Sequence, residues 1–296
     1  MFAGIEAGGT KFVVGVGDAA GRSRRTATIP TRDPDATLAE VHAFLAQAQA
    51  ELGPIRGIGI ASFGPLELDP ALPNHGRITT TPKPGWAGAD MLGKIAGPFG
   101  VPAAIDTDVN AAALAEAALR GAADLAYVTV GTGIGVGLVV GGRSVRGFGH
   151  PELGHMLPRR HPAHGDFAGT CPFHGDCLEG LASGPAVIAA WGDSFRTLPA
   201  DHPAWEVEAD YLAQLCAQLV LTTAPEAIVL GGGVLQQSRL LAMTRARTRE
   251  RLAGYCERWQ AAETFERRIV PPACREPSGL IGAYLLARMA VEGVGR

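Results

Sequence analysis

The sequence predicts an α/β protein of two related domains around a cleft. The chain has 296 residues, more than one small core organises, so two domains of roughly 100–200 residues each are expected. Strand and helix patterns alternate along it. Each half opens with a glycine-turned hairpin, GIEAGGTKF from residue 4 and VTVGTGIGVG from residue 128. Ligands of such proteins bind between the domains.

The first half begins with apolar runs at 2–5 and 11–16 on either side of a glycine turn, the pattern of a β-hairpin. Residues 24–29 predict a third strand. The spacing of apolar residues at 37–52 predicts an amphipathic helix. Further along, we predict strands at 55–62 and 102–105 and an alanine-rich helix at 109–119.

The second half repeats the hairpin and then becomes mostly helical. Strands are predicted at 125–130, 134–140 and directly after Gly141-Gly142, followed by an irregular segment at 147–176. The later elements are helices at 185–191, 204–223, 238–252 and 278–290 and a strand at 227–230. The predicted domains are therefore 1–120 and 121–296, with a C-terminal helix at about 280–296 that can pack back on the first.

The composition excludes several classes of protein. The net charge of −3 indicates no surface for nucleic acid. The most apolar stretch, 128–140, is short and interrupted by glycines, and the N-terminus has no signal-peptide pattern, so we expect no membrane partner. Five cysteines is an odd number, which favours a reduced, cytoplasmic protein over a disulfide-built one.

Glycine turns point to phosphate binding, because backbone N–H groups without a neighbouring Cβ can approach phosphate oxygens. The turns are Gly8-Gly9-Thr10-Lys11 and Gly131-Thr132-Gly133, and a third run, Gly231-Gly232-Gly233, follows the strand at 227–230. Neither hairpin matches the P-loop pattern. The alternative is that the first two are plain hairpins and the third an ordinary strand-to-helix turn.

Asp108 is the candidate general base. It lies where a strand meets a helix, and its carboxylate can accept the proton of a hydroxyl that attacks a γ-phosphate. The alternative is that Asp106 or Asp108 only caps the helix that follows.

A Cys/His cluster is the most specific signal in the sequence. Cys171, His174 and Cys177 supply three ligands within seven residues, and zinc takes four such ligands in a tetrahedron. His155 is the natural fourth ligand, with His150, His161 and His164 as competitors. Such a closed site is structural, and it can fix neighbouring residues toward a polyol. The alternative is a set of free thiols and surface histidines.

Together these residues resemble the ROK family of bacterial repressors, open reading frames and sugar kinases, over nearly the whole chain. The resemblance rests on the segments GIEAGGTK, DTDVNAAALAE, VTVGTGIGVGLVVGG, HPELGHM and CPFHGDCLEGLASGPA. It implies an actin-like ATPase (ribonuclease H-like) fold, an active site in a cleft, Mg²⁺-ATP and a homodimer. Within the family the chain is similar to zinc-containing fructokinases.

The resemblance also assigns roles to individual residues. Asp108 corresponds to the catalytic base. The expected substrate-binding residues are Thr107, Glu152, His155, Glu179, Gly64 and Pro65. The expected ATP-binding residues are Gly8, Gly9, Thr10, Lys11, Gly131, Thr132, Gly133, Gly232 and Gly233. The expected ligands of a structural Zn²⁺ are His155, Cys171, His174 and Cys177.

Three positions depart from the common family pattern. Glu6 stands where many members have Asp, Thr107 where many sugar kinases have Asn, and His174 where the usual motif has Cys. We therefore expect transfer from ATP to fructose, at O6 rather than O1. The alternatives are a kinase for glucose, mannose or an N-acetylhexosamine, and a sugar-binding protein without catalysis. The chain opens directly on the first hairpin, so no DNA-binding helix-turn-helix is expected.

Overall fold

A computed structural model describes residues 1–18 and 21–293 of the chain, which divides into two compact units. The last three residues of the predicted C-terminal helix, 294–296, lie outside the described residues. The first unit contains Met1–Arg120, Arg143–His150 and the chain from Cys274 on. The second contains Gly121–Gly142 and Pro151–Ala273. The chain thus crosses between the units four times.

The first sheet has the strand order β3-β2-β1-β4-β5. Strands β1 and β2 form the predicted hairpin, and β3 pairs antiparallel with β2. Strand β4 lies parallel to β1 and β5 parallel to β4. The strands are β1 (Phe2–Ala7), β2 (Lys11–Gly17), β3 (Ser23–Pro30), β4 (Gly57–Ser62) and β5 (Ala103–Thr107).

The second sheet repeats this arrangement, with the order β8-β7-β6-β9-β10. Strands β6 and β7 form an antiparallel hairpin, and β9 lies parallel to β6. The strands are β6 (Leu125–Val130), β7 (Ile134–Val140), β8 (Arg143–Ser144), β9 (Ala227–Gly231) and β10 (Ile269–Val270). The prediction of an α/β chain with two related halves is confirmed.

Helices cover the sheets, and the five longest lie where we predicted helices. They are α1 (Pro34–Leu52), α2 (Met91–Ala96), α3 (Asp108–Arg120), α4 (Leu178–Ala182), α5 (Gly184–Trp191), α6 (Ala204–Thr223), α7 (Ser238–Leu252), α8 (Ala262–Arg268) and α9 (Ser278–Glu292). Helix α1 begins where the Asp33 side chain accepts a hydrogen bond from Ala36 N and Pro34 fixes the first turn. We did not predict α2, α4 or α8, each of seven residues or fewer.

Each face of the first sheet packs against helices. Leu38, Val41 and Leu45 of α1 are buried in one apolar cluster with residues of β1 and β4. Helix α9 covers the other face at very short range. A Cβ on Gly59 would clash with the Ala283 carbonyl, and one on Gly4 would lie 2.9 Å from the Tyr284 ring. Glycine at these strand positions therefore permits the close approach of α9.

The second unit has its own core around α6, most of whose residues are buried. Helix α7 packs along α6, and α4 contacts both α6 and β7. Across residues 1–18 and 21–293, no helix is long and apolar enough to cross a membrane.

Candidate active site

Several predicted site residues of the first unit meet at one edge of its sheet. Strands β1, β4 and β5 are parallel, so their carboxyl ends lie side by side. The glycine turn follows β1, Gly64 and Pro65 follow β4, and Asp108 follows β5. Ligands of open α/β sheets bind outside the carboxyl ends of their strands.

The first glycine turn is held by hydrogen bonds within the protein, and its outer residues are exposed. Gly8 N donates to Lys11 O at 3.0 Å, and Thr31 Oγ1 donates to Gly8 O at 2.7 Å. Gly9, Thr10 and Lys11 are exposed. The turn therefore offers a glycine backbone, a hydroxyl and a cation to the surroundings, as a phosphate site requires.

Thr107, not an aspartate, caps α3. Its hydroxyl oxygen accepts a hydrogen bond from Asn110 N at 3.1 Å, the N-cap geometry. The alternative that Asp106 or Asp108 caps the helix is wrong, because the side chain that accepts from the N–H three residues further on is that of Thr107. Asp108 is half-buried, and its Oδ1 accepts from the adjacent Val109 N at 2.9 Å.

Asp108 and Glu6 form a pair of carboxyl groups that are hard to ionise. Burial raises the pKa of Asp108 to about 6, against the opposing effect of the Val109 N–H. Burial, and after it the Asp108 charge, raises the pKa of Glu6 to about 7, while Lys11 opposes the shift. A carboxylate with a pKa near 6 is ionised at neutral pH and is a stronger base than ordinary aspartate.

A hydrogen-bond network around Asp106, which we did not predict, fixes the junction between β5 and α3. Asp106 is fully buried and accepts from Thr107 N at 2.8 Å and from Asn110 Nδ2 at 2.9 Å. It also accepts from Ser144 Oγ at 2.7 Å and Arg146 Nη2 at 2.8 Å. Alternation of strand and helix gives no sign of a contact across about 40 residues, so only the buried position of Asp106 could have indicated a partner.

The predicted substrate residues Gly64 and Pro65 lie in a supported turn. Thr79 N and Thr79 Oγ1 both donate to Pro65 O, at 2.8 and 3.1 Å. Next to it, Leu66 N donates to His150 Nε2 at 3.0 Å. His150 is thus engaged in the first unit and is no part of the Cys/His cluster.

The second glycine turn borders a cavity of about 270 Å³ in the second unit. Gly133 O accepts from Gly131 N at 2.9 Å, which closes the turn, and Thr132 is exposed. We did not predict most of the cavity wall. The lining residues are Gly131, Thr132, Gly184, Pro185, Val187, Ile188, Ser194, Phe195, Arg196, Gly233, Val234 and Gln237.

The third glycine run reaches the same cavity. Gly232 has φ +95°, and a Cβ there would lie 2.6 Å from Val130 N. Glycine is needed for both the backbone angle and this contact with the end of β6. Gly233 lines the cavity, so the structure brings two of the three predicted glycine turns together.

The four predicted zinc ligands converge. Their donor atoms all lie within 4.8 Å of one another. His155 Nδ1 lies 3.4 Å from Cys177 Sγ and 3.7 Å from Cys171 Sγ, and His174 Nδ1 lies 3.7 Å from Cys171 Sγ. In a zinc tetrahedron with bonds of about 2.0–2.3 Å, ligand atoms are about 3.3–3.8 Å apart, so these residues fit the metal.

The competing histidines have other partners. His161 Nδ1 accepts from Ala163 N at 3.2 Å. His164 is buried, stacks on Trp191 and lies with Nδ1 2.9 Å from the Tyr211 hydroxyl. Burial, with a smaller effect of Arg160 and then His161, lowers the pKa of His164 to about 4. The fourth position of the cluster therefore belongs to His155.

The remaining predicted sugar residues of the second unit have different settings. Glu152 is exposed and precedes the 3₁₀ helix Leu153–His155. His155 directs Nδ1 to the thiols, which leaves Nε2 on the opposite edge of the ring. Glu179 is half-buried, and its Oε2 accepts from Ile134 N at 2.9 Å, directly after the second glycine turn.

Comparisons with known proteins agree on one family. The ROK family profile matches residues 2–290. A fructokinase of Zymomonas mobilis is 42% identical over 97% of this chain and 96% of its own, and one of Pediococcus pentosaceus is 40% identical over 99% of each. The crystal structure of a ROK hexokinase from Thermus thermophilus superposes with a TM-score of 0.79 at 28% identity, over 99% of both chains.

Proposed function

The chain belongs to the ROK family, and from that premise we propose that it is a fructokinase. It transfers the γ-phosphoryl group of ATP to a hydroxyl of fructose, at O6. Two relatives at 40% and 42% identity carry the name fructokinase. The chain keeps both the glycine turns and the carboxylate that this reaction needs.

One observation carries the proposal: Asp108 lies half-buried at the same carboxyl edge of the first sheet as the glycine turn that follows β1, close enough to Glu6 for its charge to raise the pKa of that group. Phosphoryl transfer depends on positioning and on neutralising charge, with one base to accept the hydroxyl proton. Asp108 Oδ1 accepts from Val109 N, which fixes the carboxylate at the head of α3. Its raised pKa suits it to take a proton from the attacking hydroxyl of fructose.

The second unit binds the nucleotide in this proposal. Apolar side chains of Val187, Phe195 and Val234 give the cavity a surface for the flat adenine ring. Gly131, Thr132 and Gly233 border the same space and offer backbone close to the phosphates. Arg196 and Gln237 add polar groups at the wall.

Mg²⁺ with the triphosphate fits beside Glu6. The Oε2 atom of Glu6 is buried, and among the described residues it has no hydrogen-bond partner. A divalent cation prefers carboxylate oxygen and favours the ionised form of a carboxyl group. Bound there, Mg²⁺ supplies positive charge to the phosphate oxygens.

A structural Zn²⁺ is held by His155, Cys171, His174 and Cys177. The support is that the donor atoms all lie within 4.8 Å of one another and that three pairs are 3.4–3.7 Å apart. A site with four protein ligands is closed to substrate. A Zn²⁺ bound at Nδ1 would hold the His155 ring in place, and Nε2 on the opposite edge would then bind a sugar hydroxyl together with Glu152. A homodimer, which the resemblance implies, is tested by light scattering on the purified protein.

A substrate panel tests the proposed reaction. Purified protein with Mg²⁺-ATP is assayed on fructose, glucose, mannose and N-acetylmannosamine, and the product is identified by ³¹P and ¹³C NMR. We expect the highest kcat/KM on fructose and fructose 6-phosphate as the product. A higher kcat/KM on an aldohexose would show that fructose is not the preferred substrate. Sugar binding without turnover would show that the protein is not a kinase.

A further inference from the structure

Both ends of the second glycine turn form hydrogen bonds with the segment that follows Cys177. On one side, Gly184 N donates to Gly131 O at 2.8 Å. On the other, Ile134 N donates to Glu179 Oε2 at 2.9 Å. Glu179 lies in α4, and Gly184 begins α5 with only Ser183 between the two helices, so one short continuous segment contacts both ends of the turn.

The same element is attached to the Cys/His cluster. Cys177 is the residue directly before α4, and its carbonyl accepts from Leu181 N at 3.0 Å. Gly180 packs so closely on the cluster that a Cβ there would lie 3.0 Å from Cys171 Cβ. Movement of the cysteines therefore moves α4.

A second contact joins the cluster to the same peptide. Gly154, next to His155, packs against β7 so closely that a Cβ would clash with Ile134 O. The N–H of Ile134 thus contacts Glu179, two residues after Cys177. Its carbonyl contacts Gly154, the residue before His155. Leu178 N also donates to Met156 O at 2.8 Å, which ties the two sides of the cluster together.

We propose that the metal site positions the second glycine turn through α4, and that Glu179 is the positioning residue. The Glu179 carboxylate fixes the Ile134 peptide, so nucleotide binding depends on the metal even when no sugar is present. The inference rests on the proposed function for the nature of the ligand. It assigns to Glu179 a part on the nucleotide side that sugar recognition alone does not include.

The structure gives a simple reason for this coupling. A turn that binds phosphate must hold its N–H groups in place before the ligand arrives. Five-residue α4 is too short to be stable by itself, so its position depends on what anchors its ends. Residues that orient metal ligands commonly change metal affinity or activity by about 10–100-fold, and we expect an effect on nucleotide affinity at the low end of that range.

The test measures binding of AMPPNP with Mg²⁺, without sugar, by isothermal titration calorimetry. The full chain is compared as zinc-loaded protein and after removal of zinc by a chelator, with Mg²⁺ restored. Glu179→Ala removes the acceptor for Ile134 N, whereas Glu179→Gln keeps an acceptor oxygen without the charge. Glu263→Ala, at an exposed carboxylate on α8, is the control.

We expect zinc removal to weaken AMPPNP binding to the wild type by about tenfold. Zinc-loaded Glu179→Ala should show a similar loss and little more on zinc removal, while Glu179→Gln and Glu263→Ala stay within about threefold of the wild type. Equal AMPPNP affinity with and without zinc, or normal affinity in Glu179→Ala, overturns the inference. An equal loss of AMPPNP affinity in Glu179→Gln and Glu179→Ala also overturns the inference, because the loss would then follow from the missing charge and not from the missing acceptor.

Hydrogen exchange of the Ile134 amide reads the positioning without nucleotide. Exchange should be faster in Glu179→Ala and in zinc-free protein than in zinc-loaded wild type and Glu179→Gln. Wild type that binds no AMPPNP contradicts the proposed function, and the exchange result then decides the positioning by itself. Unchanged exchange in Glu179→Ala refutes the positioning even in an active kinase.

Discussion

The turn after β1 and the turn after β6 hold equivalent places in two sheets of the same strand order, yet their surroundings differ. The first is exposed and lies beside Glu6 and Asp108, two carboxyl groups with raised pKa values. The second borders a cavity with apolar walls and is fastened by α4. The shared strand order determines where each glycine turn lies, whereas residues from other parts of the chain determine the chemical environment of the turn.

The difference has a physical basis in what we propose for the two sites, proton transfer by Asp108 in the first unit and nucleotide binding in the second. Accepting a proton requires a carboxylate that is partly dehydrated, which destabilises its charge. Binding a nucleotide requires a rigid backbone and an apolar wall. A site of the first kind is expected to respond to changes of charge, and a site of the second kind to changes of shape.

The largest effect is expected for Asp108→Asn. Without the base, kcat should fall by about 10²–10⁴-fold, because the hydroxyl proton has no acceptor. The dissociation constants of fructose and AMPPNP, measured by calorimetry, should remain within a fewfold of wild type. Asp201→Asn, at an exposed aspartate, is the control. Near-normal turnover of Asp108→Asn in a coupled assay rules out the assigned base.

A matched pair of glycine substitutions tests the role of shape. A Cβ on Gly133 would lie 2.5 Å from Glu179 Oε2, whereas one on Gly9 meets nothing within 4 Å. Gly133→Ala should lower the free energy of unfolding by about 1 kcal/mol, because the Glu179 carboxylate has to move and give up its hydrogen bond from Ile134 N, and Gly9→Ala should change it by less than about 0.5 kcal/mol. Urea unfolding measures both. Equal effects of the two would mean that the second turn is no more constrained than the first.

His164 should give the second unit a sensitivity to acid. Its pKa is lowered to about 4 in the folded protein, so the unfolded chain takes up the proton first as the pH falls below about 6.5. Stability should decline by about 2 kcal/mol between pH 6.5 and 4 on this account. His164→Phe should reduce that decline, and His42→Phe in the first unit should not. A pH profile of unfolding unchanged in His164→Phe would show that this histidine is not the source.

The smallest effect is a limb in the pH dependence of kcat/KM. Asp108 must be ionised to act, so kcat/KM should fall about tenfold for each pH unit below about 6, the pKa of this carboxyl group. Steady-state rates from pH 5 to 8, with circular dichroism to verify folding, measure the limb. If kcat/KM falls only below about pH 4, the pKa of Asp108 in the working enzyme is that of an ordinary aspartate.

The sequence was informative wherever structure is set by neighbouring residues. The two hairpins and the long helices follow from local spacing of apolar residues, and the ROK family follows from motifs spread over the chain. Three of the four clustered candidate metal ligands lie within seven residues, so only the fourth had competitors. The structure places His155 there because the alternatives have hydrogen-bond partners elsewhere.

The rest depended on contacts between distant segments. Neither Ser144 nor Arg146 carries a local sign that it donates to Asp106. Helix α4 has five residues, too few for a periodic pattern, and it nevertheless determines how the second turn is held. Thr107, which we predicted as a sugar contact, also caps α3, and the sequence analysis did not assign it that contact.

The glycines at positions 4 and 59 leave a groove on the first sheet that α9 fills. A ribosome delivers α9 only after the whole second unit has been made. Strands β1 and β4 are translated first, yet one of their faces stays uncovered until α9 has been made. The first unit therefore cannot complete its core while the second is being synthesised, and an apolar sheet face exposed in that interval is prone to aggregation.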